Sequence, residues 1–166
     1  MRFISSKFLT SMFAAAAIWC FASAAQAQVP QYGTNVTAEQ ARKAVVGAAA
    51  EAKKINIPMA ITVVNTAGML VSFELMDNTQ YGSIAVSNDK ASSAALFRRP
   101  TKVFQDVLAG GGAGLRVLTL RGANAVEGGI PLMLDGKIIG AIGVSGGSAE
   151  QDGVVAKAGQ DAMAAK

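Results

Sequence analysis

The chain has 166 residues, of which 15 are basic and 11 acidic, and it contains no histidine and one cysteine, Cys20. Such a chain cannot assemble a serine-histidine-aspartate triad, a cysteine-histidine dyad or a histidine/cysteine zinc site. The acidic residues form no calcium-loop or paired-carboxylate pattern, so the composition favours a binding or accessory protein over an enzyme.

The first 27 residues have the pattern of a secretory signal peptide. Arg2 and Lys7 precede an apolar run over residues 8–21, and residues 25–27 match the A-x-A site that signal peptidase reads. About 14 apolar residues in a helix reach about 21 Å, whereas a membrane anchor must cross roughly 30 Å of hydrocarbon. We therefore expect cleavage after Ala27 and a periplasmic or secreted protein.

The mature chain, residues 28–166, is expected to form a single domain. Two of the 15 basic residues leave with the leader, so 13 remain against 11 acidic residues and the net charge falls from +4 to +2. This small charge predicts no nucleic-acid partner and no membrane insertion after cleavage. Cys20 also leaves, so packing or self-association must provide the stability that a disulfide gives to other exported proteins.

A helix is predicted first in the mature chain. The segment Thr37–Gln40 has the T-x-x-Q form of a capping box, in which side chains satisfy the free backbone donors of a helix start. Small apolar residues follow at helical spacing from Ala41 to Ala52, and Pro58 ends the segment.

A hairpin is predicted next. Two β-rich runs, over residues 60–65 and 70–76, flank a turn in which Gly68 can take a positive φ. Side chains alternate between the faces of a strand, so three apolar residues of the second run are expected to face the core. These are Val71, Phe73 and Leu75.

The middle of the chain predicts two helices and a loop. Residues 83–97 are rich in alanine and serine and end at Arg98-Arg99-Pro100, where proline restricts the preceding residue. A short helix follows over residues 101–109. The glycine cluster at residues 110–114 lacks the spacing and the lysine of a phosphate loop, so it predicts a linking loop.

The last third predicts a second hairpin and a final helix. Asp135-Gly136 stands between the apolar runs 130–134 and 137–144, which is typical of a tight type I′ turn. Gly140 and Gly143 are poor strand formers, so another group is expected to approach closely there. Residues 148–151 form a second capping box. The order of elements predicts an antiparallel sheet with helices packed on it.

Two segments resemble the haem-binding protein family of the glycolate-operon GlcG and secreted HbpS type, which also includes the C-terminal domain of PduO-type cobalamin adenosyltransferases. One lies between residues 127 and 152 and includes E-G-G-I-P-L, the run D-G-K-I-I-G-A-I-G-V-S-G and the pair Q-D. The other is the segment 89–101, which fits the pattern D-K-A-x-x-A-x-x-x-R-R-x-T. The resemblance covers nearly the whole mature chain.

This resemblance implies a fold and a class of ligand. The implied fold is α/β (α+β), a profilin-like five-stranded antiparallel sheet with helices on both faces, commonly assembled into homo-oligomers. The implied ligand is a tetrapyrrole, with haem as the first candidate and cobalamin as the alternative. Family membership constrains the fold more tightly than the ligand, because one fold carries many functions.

The resemblance carries four residues over to a haem site. Thr101 takes the position of a family threonine that resembles an oxygen ligand of the haem iron, so it is the candidate metal ligand. Arg98, Arg99 and Lys90 lie on the same element and would pair with the haem propionates. Histidine ligation is excluded because the chain has no histidine.

Alternatives to these assignments remain at this point. Tyr81, Met76 and Met59 are iron ligands by chemistry alone, because tyrosine and methionine both occur as axial groups. Thr101 is alternatively only the cap of the helix that follows it. The two arginines are alternatively solvated, or bind carboxylates across a subunit interface.

Three functions follow from these observations. The leading hypothesis is an extracytoplasmic, oligomeric protein for haem binding, sequestration or sensing. The alternative is a structural or accessory oligomer of an extracytoplasmic pathway that works without haem. The third is an enzyme that degrades haem or acts on a small metabolite.

Overall fold

The computed structural model describes residues 29–165, so the proposed leader lies outside the described residues. The elements of this part are α1 (Ala38–Lys54), β1 (Ala60–Asn65), β2 (Leu70–Leu75), α2 (Gly82–Phe97), α3 (Lys102–Ala109), a 3-10 helix (Gly112–Thr119), β3 (Gly129–Leu134), β4 (Lys137–Ser145) and α4 (Ala149–Ala164). None of the helices within residues 29–165 combines the length and the apolar character that crossing a membrane requires.

The strands form one antiparallel sheet in the order β2-β1-β4-β3. The expected antiparallel sheet is confirmed, but the expectation of five strands is wrong for the described chain, which has four. The segment before α1 runs beside the part of β4 that extends past the end of β1. It is held there by an isolated bridge between Tyr32 and Ile138 and by a hydrogen bond from the N–H of Val36 to the oxygen of Ile139. One bridge does not make a strand.

Helices α1 and α4 cover one face of the sheet with an apolar core. The predicted small-residue stripe of α1 is buried as expected. A Cβ on Gly159 of α4 would lie 2.7 Å from the backbone oxygen of Ala44 and 2.5 Å from Cδ1 of Ile142, so glycine lets α4 lie directly on both α1 and the sheet. We call this the apolar face; its buried strand residues include Ile61, Val63, Leu132, Ile142 and Val144.

Helix α2 covers the opposite face, where hydroxyl groups enter the interior. The hydroxyls of Thr62 on β1 and Ser87 on α2 lie 2.8 Å apart, and both residues are fully buried. A Cβ on Gly143 would collide with the backbone of Ser87 and Ala91, which confirms the close approach predicted at this glycine. We call this side of the sheet the polar face.

Strand β2 departs from the prediction for two of its three apolar residues, whereas Val71 packs against the apolar core as expected. Phe73 and Leu75 are 39% and 37% exposed, so the expectation that they face the core is wrong. They pair with Thr62 and Ala60, which places them on the polar face at the edge of the sheet. Helix α2 lies over β1, β4 and β3, and it leaves these two side chains partly uncovered.

The predicted turns and helix starts are otherwise confirmed. Asp135 and Gly136 have φ values of 48° and 73°, as a type I′ turn requires. Both capping boxes, at residues 37–40 and 148–151, form their reciprocal hydrogen bonds. The predicted linking loop is shorter than expected because the 3-10 helix already begins at Gly112.

Candidate functional site

A cleft of about 410 Å³ opens between β3 and the helices α3 and α4. Its lining is mostly apolar. Residues 127–130 form one wall, Pro100 and Lys102 come from the start of α3, and Gly153, Val154 and Lys157 come from α4. The cleft thus combines a mostly apolar floor with two lysine side chains at its walls.

Thr101 and Gly129 hold the floor of the cleft together. The backbone N–H of Thr101 donates to the oxygen of Gly129 at 3.0 Å, and the N–H of Gly129 donates to Oγ1 of Thr101 at 2.9 Å. Thr101 is fully buried and makes no side-chain cap of α3, so the capping alternative is wrong. Its hydroxyl instead joins the start of α3 to the start of β3.

Lys90 and Asp152 form an ion pair beneath the same floor. The ammonium of Lys90 lies 2.7 Å from the Asp152 carboxylate and 3.1 Å from the backbone oxygen of Val144, and the two side chains are 1% and 4% exposed. Burial raises the pKa of Asp152, while hydrogen bonds from Lys90 and the N–H of Gly147 oppose that rise. A propionate partner for Lys90 would have to replace Asp152, and this assignment stays a prediction.

The two arginines contact aromatic rings outside the cleft. The guanidinium carbon of Arg98 lies 5.5 Å from the ring centroid of Tyr32 in the segment before α1. That of Arg99 lies 5.7 Å from the ring of Phe104, and its Nε donates to the backbone oxygen of Phe97 at 3.0 Å. Their pairing with propionates also stays a prediction.

The alternative iron ligands are scattered. Tyr81 is 85% exposed at the start of α2, and Met59 is fully buried in the apolar core. Met76 is half-buried and lines a separate pocket of about 290 Å³ beside Asp77. None of the three methionine and tyrosine side chains lines the cleft between α3 and α4.

Of the four residues carried over, the structure brings only Thr101 and Lys90 together. A Cβ on Gly129 would collide with the backbone oxygen of Lys90 and would lie 2.6 Å from Cγ2 of Thr101, so all three meet without spare room. A Cβ on Gly128 would lie 2.9 Å from Nζ of Lys90. The ammonium of Lys90 therefore lies directly behind the wall that Gly128 forms.

Sequence reasoning missed three residues of this region, namely Lys102, Asp152 and Lys157. Lys102 directly follows Thr101, and Lys157 lies one helical turn after Gly153. Both residues therefore lie inside helices that the sequence predicts. No pattern in the sequence tells which side of the final helix turns toward β3. Asp152 was noted as part of the resemblance, without a partner.

The fold and the cleft define a layered α+β binding domain, and comparison with known proteins identifies its family. Residues 36–161 match the family model described as Haem degrading protein HbpS-like. The chain therefore belongs to the HbpS-like family, as its sequence resemblance indicated.

Curated relatives agree with this membership. The chain is 33% identical over 129 residues to an uncharacterized 15.0 kDa protein from the dhaT-dhaS intergenic region of Citrobacter freundii, which covers 76% of this chain and 91% of the relative. It is 35% identical over 111 residues to the protein GlcG of Escherichia coli, which covers 66% of this chain and 81% of the relative.

Solved structures share the fold. The Klebsiella pneumoniae protein ORFY superposes with a TM-score of 0.74 at 28% identity, over 82% of this chain and 95% of that one. The PduOC:heme complex superposes with a TM-score of 0.70 at 25% identity, over 78% of this chain and 95% of that one.

Proposed function

We propose that this protein is an extracytoplasmic tetrapyrrole-binding protein whose ligand is haem, held in the cleft between α3, β3 and α4. The observation that carries the proposal is the cleft itself, which is mostly apolar and whose lining residue Gly129 is hydrogen-bonded to Thr101, the residue singled out as the oxygen ligand. Membership of the HbpS-like family and the likeness to a haem complex support the same ligand.

The residues of the cleft fit a porphyrin better than they fit a tightly ligated iron. The apolar lining suits the ring, and the lysines suit its carboxylates. No residue that lines the cleft is a histidine, cysteine, methionine or tyrosine. Thr101 remains the proposed oxygen ligand, and its hydroxyl must leave the N–H of Gly129 to serve as one. Bound haem would supply a redox-active iron with weak axial ligation.

Haemin titration of the mature chain tests this function. We expect a Soret band of high-spin ferric type, because a chain without histidine cannot provide two histidine ligands. Thr101→Ala should alter that spectrum if the hydroxyl meets the iron, while Thr101→Ser retains the hydroxyl and serves as the matched control. An unchanged spectrum in Thr101→Ala removes Thr101 as ligand. Absence of haemin binding by the wild type defeats the proposal and leaves the accessory oligomer.

The family description makes haem degradation a second candidate function. Incubation of the haemin-loaded protein with a reductant and oxygen should then bleach the Soret band with time. A stable band supports binding, sequestration or sensing instead. The comparison with free haemin under the same conditions separates protein-dependent bleaching from spontaneous bleaching.

The proposal also includes export and self-association. Intact-mass analysis of the exported protein should show that it begins at Gln28, and retention of residues 1–27 would contradict the leader. The partly exposed Phe73 and Leu75 on an edge strand support association into a homo-oligomer. Light scattering should give a mass several times that of one chain, and a monomer at micromolar concentration would contradict it.

A further inference from the structure

Two lysines line the cleft from different helices and have easily replaced partners. Lys102 on α3 is paired with Asp106 at 2.8 Å, and Lys157 on α4 is paired with Asp161, each partner four residues further along its own helix. The lysine side chains are 50% and 57% exposed. Exposed ion pairs of this kind contribute little to the free energy of unfolding. A ligand carboxylate can therefore replace the aspartate as the partner of either ammonium.

Arg98 and Arg99, which precede α3, lie outside the cleft. Arg98 lies over the ring of Tyr32 and Arg99 over that of Phe104, and neither lines the cleft. A ligand seated in the cleft therefore meets Lys102 and Lys157, one from each helix, rather than Arg98 and Arg99.

We infer that the cleft recognises a flat apolar macrocycle by its two carboxylates, with Lys102 and Lys157 as the residues that bind them. This inference rests on the proposed function and replaces the arginines in that role. It commits the ligand to the class of porphyrin dicarboxylates. No histidine, cysteine, methionine or tyrosine lines the cleft, and its two lysines are paired with carboxylates. Recognition therefore depends on the ring and its carboxylates, and a metal-free porphyrin binds about as well as haemin.

The acidic groups near the two lysines determine how much each lysine contributes to binding a ligand carboxylate. The carboxylate of Glu127 lies 3.9 Å from the ammonium of Lys102, in addition to Asp106, so Lys102 faces two acidic groups. Lys157 is paired with Asp161 alone among the described ion pairs. A ligand carboxylate therefore gains more from Lys157, whose charge is less neutralised.

Fluorescence titration of metal-free protoporphyrin IX into the mature protein tests the inference. We expect Lys157→Gln to weaken binding about tenfold, Lys102→Gln by less, and the double variant by roughly 50-fold. Lys54→Gln is the matched control, because Lys54 is also an exposed lysine paired with an acid of its own helix, Glu51, but lies away from the cleft. Its affinity should equal that of the wild type.

Protoporphyrin IX dimethyl ester provides the complementary measurement, because its carboxylates are capped. The wild type should bind the ester about as weakly as the double variant binds the free acid, and Lys102→Gln should leave the ester's affinity unchanged. Equal binding of the free acid by the wild type and the double variant overturns the inference and leaves haem binding intact. Binding of haemin without metal-free porphyrin also overturns it. Failure of the wild type to bind either porphyrin overturns both proposals.

Discussion

The two faces of the sheet are built from different chemistry. On the apolar face, α1 and α4 bury alanine, valine and isoleucine side chains against the strands. On the polar face, α2 buries the hydroxyls of Thr62 and Ser87 and, nearer the cleft, the ammonium of Lys90. The candidate site lies at the β3 edge of the sheet, between α3 and α4, where the Lys90 ammonium of the polar face meets the Asp152 carboxylate of α4.

The difference matters because the two interiors tolerate change in different ways. An apolar interior loses free energy in proportion to the volume that is removed or forced in. A polar interior loses most when one partner is removed and the other is left buried without a hydrogen bond or counter-charge. Substitutions on each face should therefore separate the two kinds of packing.

The largest effect is expected from Lys90→Met on the polar face. This change leaves the Asp152 carboxylate buried without its cation, and removing one member of a buried pair costs about 3–5 kcal/mol. Urea unfolding at pH 7 measures the loss. The double variant Lys90→Met/Asp152→Asn leaves no buried charge and should recover part of it. A double variant as unstable as Lys90→Met would show that the loss comes from packing.

The pH dependence of Lys90→Met sharpens this test. Burial raises the pKa of Asp152, and loss of Lys90 removes the hydrogen bond that opposes this rise. The folded variant then holds a proton more tightly than the unfolded chain, whose aspartate pKa is about 3.9. Its stability is greatest below that value and is lost as the pH rises through the folded pKa. The stability deficit should therefore shrink in acid.

A smaller but still large effect is expected from Gly159→Val on the apolar face. The new side chain meets the backbone of Ala44 and the side chain of Ile142 at distances that no real contact allows. Overpacking of this kind costs about 1–3 kcal/mol. Gly82→Ala is the control, because a Cβ there meets nothing within 4 Å. Equal denaturation midpoints for Gly159→Val and the wild type would mean that α4 does not lie so close to α1.

The smallest effect is expected when both hydroxyls of the pair on the polar face are removed together. Ser87→Ala alone leaves the buried Thr62 hydroxyl without its partner, at a cost of about 1–3 kcal/mol at most. Thr62→Val should cost less, because the Ser87 hydroxyl still donates to the backbone oxygen of Ile84, and the double variant should be nearly neutral. A double-mutant cycle of unfolding free energies measures the coupling. Strictly additive losses would contradict the hydrogen bond.

Local signals made most of the fold predictable from sequence. The capping boxes at Thr37 and Ser148 and the turn at Asp135-Gly136 depend only on neighbouring residues, and each forms as expected. The exposure of Phe73 was not predictable in this way. It depends on where α2 lies over the sheet, and alternation along β2 does not contain that information.

The site was less predictable because its parts come from distant segments. Thr101 was singled out by resemblance, but its partner is Gly129, and the partner of Lys90 is Asp152 on the last helix. Lys102 and Lys157 share a cleft only after α3 and α4 have packed beside β3. Sequence patterns predict the helices but not how the helices pack against one another.

The position of β4 in the sheet determines when folding can be completed. This strand lies between β1 and β3, and its residue Ser145 pairs with Ala60. During synthesis the hairpin of β1 and β2 must therefore wait for the C-terminal third of the chain before its inner edge is covered. Contacts of such long sequence separation slow folding. The nascent chain therefore stays incompletely folded until Ser145 emerges, which is the state that the proposed export would require.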